Sequence, residues 1–223
     1  VHVSRYVPGQ LGLDLGRDIQ VVLGDVTRPV VFDVGANIGQ SILTFKGLLP
    51  RCVVHSFEPS PAVFRRLEDY TRGVRNVRKV NTAVGAENGE ILLLENEDSE
   101  LSSVLRPGTP GWGSIVRETH VEMITLDAYC ATNIVERVDL LKIDTQGNDL
   151  AVLMGSRDLL AAGRIGAVLI EVIFTHWYDG APTFDEIYMF LVDRGFRLVS
   201  LYNCQTYEGA MRWADVLFVR SPS

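Results

Sequence analysis

The chain has 223 residues, 47% of them hydrophobic, enough for one domain with a substantial core. Its formal net charge is -7; so acidic a domain is ill suited to gripping a phosphate backbone, which needs clustered Lys and Arg, and no nucleic-acid partner is expected. The three cysteines, Cys52, Cys130 and Cys204, are odd in number and lack CxxC spacing, which disfavours a disulfide framework or zinc knuckle and suits a reducing cytoplasm.

The N-terminal segment, residues 1–29, opens with "VHVSRYVPGQ" and lacks the basic-then-apolar layout of a signal peptide. No apolar run approaches the ~18 residues needed to span a bilayer, so no membrane partner is expected. The first strand is Val30–Val34, followed by a helix from Ile38 to Leu49 that Pro50 stops. Cys52 lies in the next apolar run and reads as a small core residue, as does Cys204. The second strand is Val53–Phe57, and Pro61 opens a helix to Thr71, its ring suited to a first turn. "RGVRNVRK", Arg72–Lys79, reads as a solvated face. A third strand covers Val77–Val84, and "ENGEILLLENE" adds a turn and a hairpin strand.

Residues 98–118 are dense in Ser, Gly and Pro and read as a long loop, either a lid over a site or a surface excursion. "HVEMITLDAY" returns to strand and helix. Leu140–Ile143 is a buried strand, Leu150–Ala161 an amphipathic helix, Gly166–Val172 a strand and Thr183–Asp193 a helix. Phe196–Leu201 and Val216–Val219 have no helix between them and should pair as an antiparallel hairpin at the sheet's edge. Alternating strands and helices predict a single α/β domain over residues 1–223, with a parallel sheet and helices on both faces.

In such a sheet, ligands sit beyond the carboxyl ends of the strands. The turn "VVFDVGANIGQS" carries Gly35 and Gly39, but Asn37 stands where a dinucleotide fingerprint wants its second glycine. Asp33 precedes the turn. An acid there, with no bare backbone for a pyrophosphate, suits a ligand with an ammonium group, and S-adenosylmethionine is one. Asp33 would hold its amino group directly or through water. Backbone N–H groups of Gly35, Ala36, Asn37 and Gly39 would face its carboxylate. Glu58, followed by Pro59, lies 23 residues past Gly35, where an acid accepts ribose hydroxyls; the plainer alternative is a charge at the start of the next helix. Thr82 and Ala83, at the end of the third strand, would border the adenine.

The blocks "FDVGANIGQS", "SFEPSPAVFRRL", "VNTAVGAENGEILL", "TLDAY", "VDLLKIDTQGNDLAVLMGSRDLL" and "DVLFVR" together resemble the FkbM family of methyltransferases, in order, from Val30 to Arg220. The resemblance implies the class I S-adenosylmethionine-dependent methyltransferase fold, Rossmann-like, a seven-stranded mostly parallel sheet with an antiparallel last strand. It also implies O-methylation of a hydroxylated small molecule, a sugar or natural product. One departure stands out. The family usually reads "KIDVEGxE" where this chain reads "KIDTQGND", so Gln146 and Asp149 replace two Glu. Gln cannot take a proton and is a weak metal ligand.

Methyl transfer to an alcohol needs alignment, loss of a proton and exclusion of water. Asp144 ends the fourth strand, Glu171 the fifth, and His176 follows in "EVIFTHW". One reading makes His176 or Asp144 the general base, and His176 is preferred because a neutral imidazole takes a proton near pH 7. Another builds a Mg2+ site from Asp144 and Glu171. The plainer alternatives are a helix cap for Asp144, a buried acid paired to the loop for Glu171, and an aromatic cluster with Trp177 and Tyr178 for His176. Ser102 and Ser103, Gln146, Trp177 and Trp112 are the candidate acceptor contacts. A two-fold homodimer is the commonest assembly for such chains.

Overall fold

The computed structural model describes residues 11–108 and 113–221. It opens on a helix, α1 (Leu15–Val22), in the segment where the sequence suggested no element. Asp14 caps it, accepting the Arg17 amide at 2.7 Å. Buried Asp18 accepts the Tyr202 hydroxyl at 2.7 Å, tying α1 to the end of the chain.

The chain then runs β1 (Val30–Val34), α2 (Gln40–Leu48), β2 (Val53–Phe57), α3 (Pro61–Tyr70) and β3 (Val77–Val80). Strand alternation sorts their apolar residues. Val31 joins the core formed with Ile42, Phe45 and Leu67, whereas Phe32 and Val34 join the core on the opposite face. The expected third strand to Val84 is broken. Asn81, which stays exposed, donates its Nδ2 to the carbonyls of Glu58 and Pro59, and Ala83–Val84 (β4) leaves for a second, three-stranded sheet. There β4 lies parallel to β6 (Ile115–Ile124), and β5 (Gly89–Asn96) lies antiparallel to it.

Helix α4 (Leu126–Asn133), capped by Thr125, leads to β7 (Val138–Ile143). The single helix expected over 150–161 is two, α5 (Asp149–Met154) and α6 (Arg157–Ala161). They part at Gly155, which packs so tightly on Gly85 that a Cβ would lie 2.0 Å from its carbonyl oxygen. β8 (Ile165–Ile173) and α7 (Phe184–Val192) follow, the latter opened by a Thr183–Glu186 capping box. β9 (Phe196–Tyr207) and β10 (Ala210–Arg220) are longer than their apolar stretches suggest.

The large sheet has the order β3-β2-β1-β7-β8-β10-β9. β10 alone is antiparallel to both neighbours, inserted between β8 and β9. Helices α1–α3 cover one face and α4–α7 the other. The architecture is therefore the expected α/β sheet of seven strands with an antiparallel last strand. Cys52 and Cys130 are buried, but Cys204 is exposed on edge strand β9, which corrects its reading as a core residue. No helix among the described residues is long and apolar enough to cross a membrane.

Candidate active site

The turn after β1 is fixed by crowding. Gly35 has φ +77°, and a Cβ there would lie 1.8 Å from the Asp144 carbonyl oxygen. That closeness is what brings the ends of β1 and β7 together, where the Asp144 amide donates to Val34 O at 3.0 Å. Four of the turn's amides are spent within the protein. Gly35 and Ala36 both donate to Phe57 O (3.1 and 3.0 Å), Asn37 to Glu58 Oε2 (3.0 Å) and Gly39 to Ala36 O (2.8 Å). This corrects the expectation that they would face a ligand carboxylate.

Glu58, at the end of β2, is only 7% exposed. Its Oε1 accepts the Ser60 amide at 2.8 Å while Oε2 accepts that of Asn37. Burial pushes its carboxyl up to about 7 despite those amides and Lys142, with Asp33 adding to the rise. Pro59, Thr82 and Ala83 line the same cavity. The Thr82 hydroxyl is buried without a hydrogen-bond partner among the described residues.

Register places Asp33 of β1 beside Lys142 of β7. Asp33 is fully buried, accepts the Ser41 hydroxyl at 2.6 Å and lies 3.2 Å from Lys142 Nζ. That ammonium also lies 3.3 Å from Asp144 Oδ2 and donates to Gly35 O at 2.9 Å. Burial opposes its charge, but the Asp144 and Asp33 carboxylates outweigh burial and hold it above the usual lysine range. Lys142 thus joins the glycine turn to both acids. The sequence reading passed over it because it sits in the apolar run of a central strand; its one signal was a basic residue within the run Leu140–Ile143, just before the acidic strand end.

Gln146, in the left-handed region at φ +54°, spans the next two acids. Its Nε2 donates to Asp144 Oδ1 at 3.0 Å and to Glu171 Oε1 at 2.8 Å, and its Oε1 lies 3.0 Å from the Tyr178 hydroxyl. Desolvation first, then Asp144, Asp149 and Asp215, push Glu171 far above the ordinary carboxylate range. Asp215 faces Glu171 in register and accepts Asn203 Nδ2 at 2.6 Å. Asp149 serves the backbone, accepting the Thr145 amide and hydroxyl and the Gly147 amide (2.9, 2.9 and 3.1 Å); burial raises it to about 6.

All these strand ends open on one cavity of about 490 Å³. Gly35, Asn37, Glu58 and Thr82 stand at one end, and Lys142, Asp144, Gln146 and Glu171 in the middle. Leu15, Ile19 and Leu48 from α1 and α2 also line the cavity, while Ser102 and Ser103 reach in from the long loop. His176 is exposed and off this wall, because the chain after β8 turns away; the geometry does not bring it to Asp144. Trp177, also off the wall, is buried near Trp213, ring centroids 5.3 Å apart. Trp112 lies outside the described residues.

The donor set does not fit Mg2+. The Gln146 amide nitrogen occupies the space between Asp144 and Glu171, and among the described residues no three His, Cys, Asp or Glu side chains converge as metal ligands. A nucleoside fits better: one end of the cavity offers a buried carboxylate and an unpartnered hydroxyl.

The model of the methyltransferase FkbM domain matches residues 33–198. The 2-O-methyltransferase NoeI of Sinorhizobium fredii is 26% identical, over 68% of this chain and 64% of its own length. The 31-O-demethyl-FK506 methyltransferase FkbM of Streptomyces tacrolimicus is 29% identical, over 77% and 74%. The chain thus spans less than two thirds of the first of these relatives and about three quarters of the second. Among solved structures, Aeropyrum pernix fibrillarin, which holds natively bound S-adenosyl-L-methionine, superposes with a TM-score of 0.52 at 15% identity. That match covers 86% of this chain and 66% of the fibrillarin, and at such identity it speaks for the fold alone.

Proposed function

This chain belongs to the methyltransferase FkbM family, its domain an S-adenosylmethionine-dependent methyltransferase, and on that premise we propose that it methylates a hydroxyl of a small molecule. A sugar or a polyketide-like acceptor is the class favoured, in line with the activities that the names of the two relatives carry. The observation that carries the reading is that the Glu58 carboxylate and the Lys142–Asp144 pair open on one cavity, either side of the glycine turn.

S-adenosylmethionine, when bound, supplies a methyl group on a sulfonium. Glu58 accepts the ribose hydroxyls, which requires its carboxyl to be ionised. Thr82 and Ala83 border the base. Asp33 is committed to Lys142 and Ser41, so it holds the lysine in place and leaves any ammonium of the ligand to a water or to Asp144. Asp144 replaces His176 as our candidate base. It lies on the cavity wall, with one carboxylate oxygen paired to Lys142 and the other to Gln146. With the methyl donor bound, it would take up the proton released by the acceptor's hydroxyl. Glu171, held protonated, donates a hydrogen bond to the acceptor rather than taking a proton. Ser102 and Ser103 exclude water and face the acceptor. Three free cysteines support a reducing cytoplasm as the setting.

Calorimetric titration with S-adenosylhomocysteine, with NADH as control, tests the pocket. Micromolar binding of the first and none of the second is expected, and an acceptor screen follows. Binding of NADH, or of neither, overturns the reading.

A further inference from the structure

The long loop does not merely lie over the cavity; it is fastened to it. Ser99 Oγ donates to Asn37 Oδ1 at 3.1 Å and Gln40 Nε2 to Glu100 Oε1 at 3.1 Å, both at the cofactor end. At the other end Ser103 Oγ donates to the Gln146 carbonyl at 2.7 Å. The Tyr178 hydroxyl lies 3.0 Å from both Leu101 O and Gln146 Oε1. Pro107 bridges to Tyr178, and the Gly108 amide donates to Trp177 O at 2.7 Å. Two of these fastenings meet at Gln146, whose other side holds Asp144 and Glu171.

We propose that Gln146 is a positioning residue: its side chain fixes the Asp144 and Glu171 carboxyl groups relative to each other and makes that arrangement depend on the seating of residues 99–107. The chemistry of the amide suits both tasks. Its two N–H donors match two acceptors on one side, and its carbonyl oxygen meets a phenol on the other. A carboxylate in the same place would offer only acceptors to two neighbouring carboxyls. The left-handed backbone at Gln146 aims its carbonyl at Ser103, so one residue is bonded to the loop through main chain and side chain alike. Seating the loop therefore holds Gln146, and Gln146 holds the acids. The proposal rests on the functional reading above only in taking Asp144 for the base.

The test needs no acceptor. Amide hydrogen exchange across residues 99–107 is compared in the wild-type chain, Gln146→Met, Tyr178→Phe and Ser103→Ala. Losing one hydrogen bond speeds local opening by about threefold to tenfold. Tyr178→Phe and Ser103→Ala are expected at the lower end and Gln146→Met at the upper. The double variant Gln146→Met/Tyr178→Phe should exchange less fast than the two single effects multiplied, because the bond between the phenol and Gln146 Oε1 is lost in either, leaving only the phenol's bond to Leu101 O to be lost by the second change. In 15N spectra, the side-chain NH2 pair of Gln146 should shift in both Tyr178→Phe and Glu171→Gln, although these changes lie on opposite sides of it. Unchanged exchange in Gln146→Met, strictly additive effects, or an NH2 signal indifferent to Tyr178 would overturn the proposal. Should Gln146→Met not fold, the spectrum of Tyr178→Phe decides alone. S-adenosylhomocysteine titration of the wild type is run in parallel. Failure to bind it sinks the functional reading and leaves the coupling measurement standing, whereas intact binding with no coupling sinks only the role of Gln146.

Discussion

The two halves of the cavity are built by different means. At the β1 and β2 ends, the site is made of backbone: a glycine turn pressed on the Asp144 carbonyl, four amides consumed in fixed bonds, and one carboxylate clamped by one of these and by the Ser60 amide. At the β7 and β8 ends, it is made of side chains: Lys142, Asp144, Gln146 and Glu171, linked to one another and to a loop. A backbone site admits one geometry and is suited to a ligand that never changes. A side-chain site is adjustable by substitution, which is where relatives with different acceptors would be expected to diverge.

The sharpest way to break this contrast is to strike the residue that spans it. Lys142→Met leaves Asp33 buried without a cation, and should cost about 3–5 kcal/mol in urea unfolding, the scale for orphaning one member of a buried pair; exposure of Asp144 trims its share. Gly35→Ala comes next. Its Cβ has no room and its φ is unfavourable, so a loss of about 3 kcal/mol in stability and failure to bind S-adenosylhomocysteine are expected. Smaller again is Glu58→Gln, which should weaken S-adenosylhomocysteine by about 1.5–3 kcal/mol in calorimetry, the scale of a hydrogen bond to a charged group.

Glu58 also predicts a pH dependence. Its carboxyl is raised from 4.5 to about 7 in the folded chain, so the free protein retains a proton that the unfolded chain releases. Stability from this group is therefore lost as pH rises from about 4.5 to 7. Ligand affinity moves the other way, tightening through pH 7 as the carboxylate forms, and Glu58→Gln should flatten that profile. Smallest of all is His176→Ala. An exposed side chain off the cavity wall should change stability by less than about 0.5 kcal/mol and leave affinity intact. A large loss would return His176 to the site.

The same division separates what could be read from the sequence from what could not. Gly35, Gly39 and Glu58 were legible because a turn between a strand and a helix demands particular residue types at particular offsets. The β1 and β2 strands followed from short apolar runs, with Pro50 ending the helix between them. Lys142 was not legible, since its meaning lies in register: only the pairing of β1 with β7 sets it beside Asp33. His176 misled because five residues past a strand end leave the chain's direction open. The break between α5 and α6 was hidden for a similar reason. Gly155 looks like a tolerated helix glycine until Gly85, seventy residues earlier, is found against it. Strand β10 was underestimated because "AMRWAD" carries Asp215, which only its Glu171 and Asn203 partners explain, and Arg212, which lies over the Tyr207 ring.

The strand order has a consequence for synthesis. Strand β1 leaves the ribosome before the other strands of the sheet, yet one of its two neighbours, β7, begins more than a hundred residues later, and β8 has no second neighbour until residues 210–220 arrive. Until then β8, among the most apolar strands of the sheet, carries an open edge. Newly made chains would therefore be most exposed to aggregation, and most dependent on chaperones, in the interval between translation of β8 and of β10.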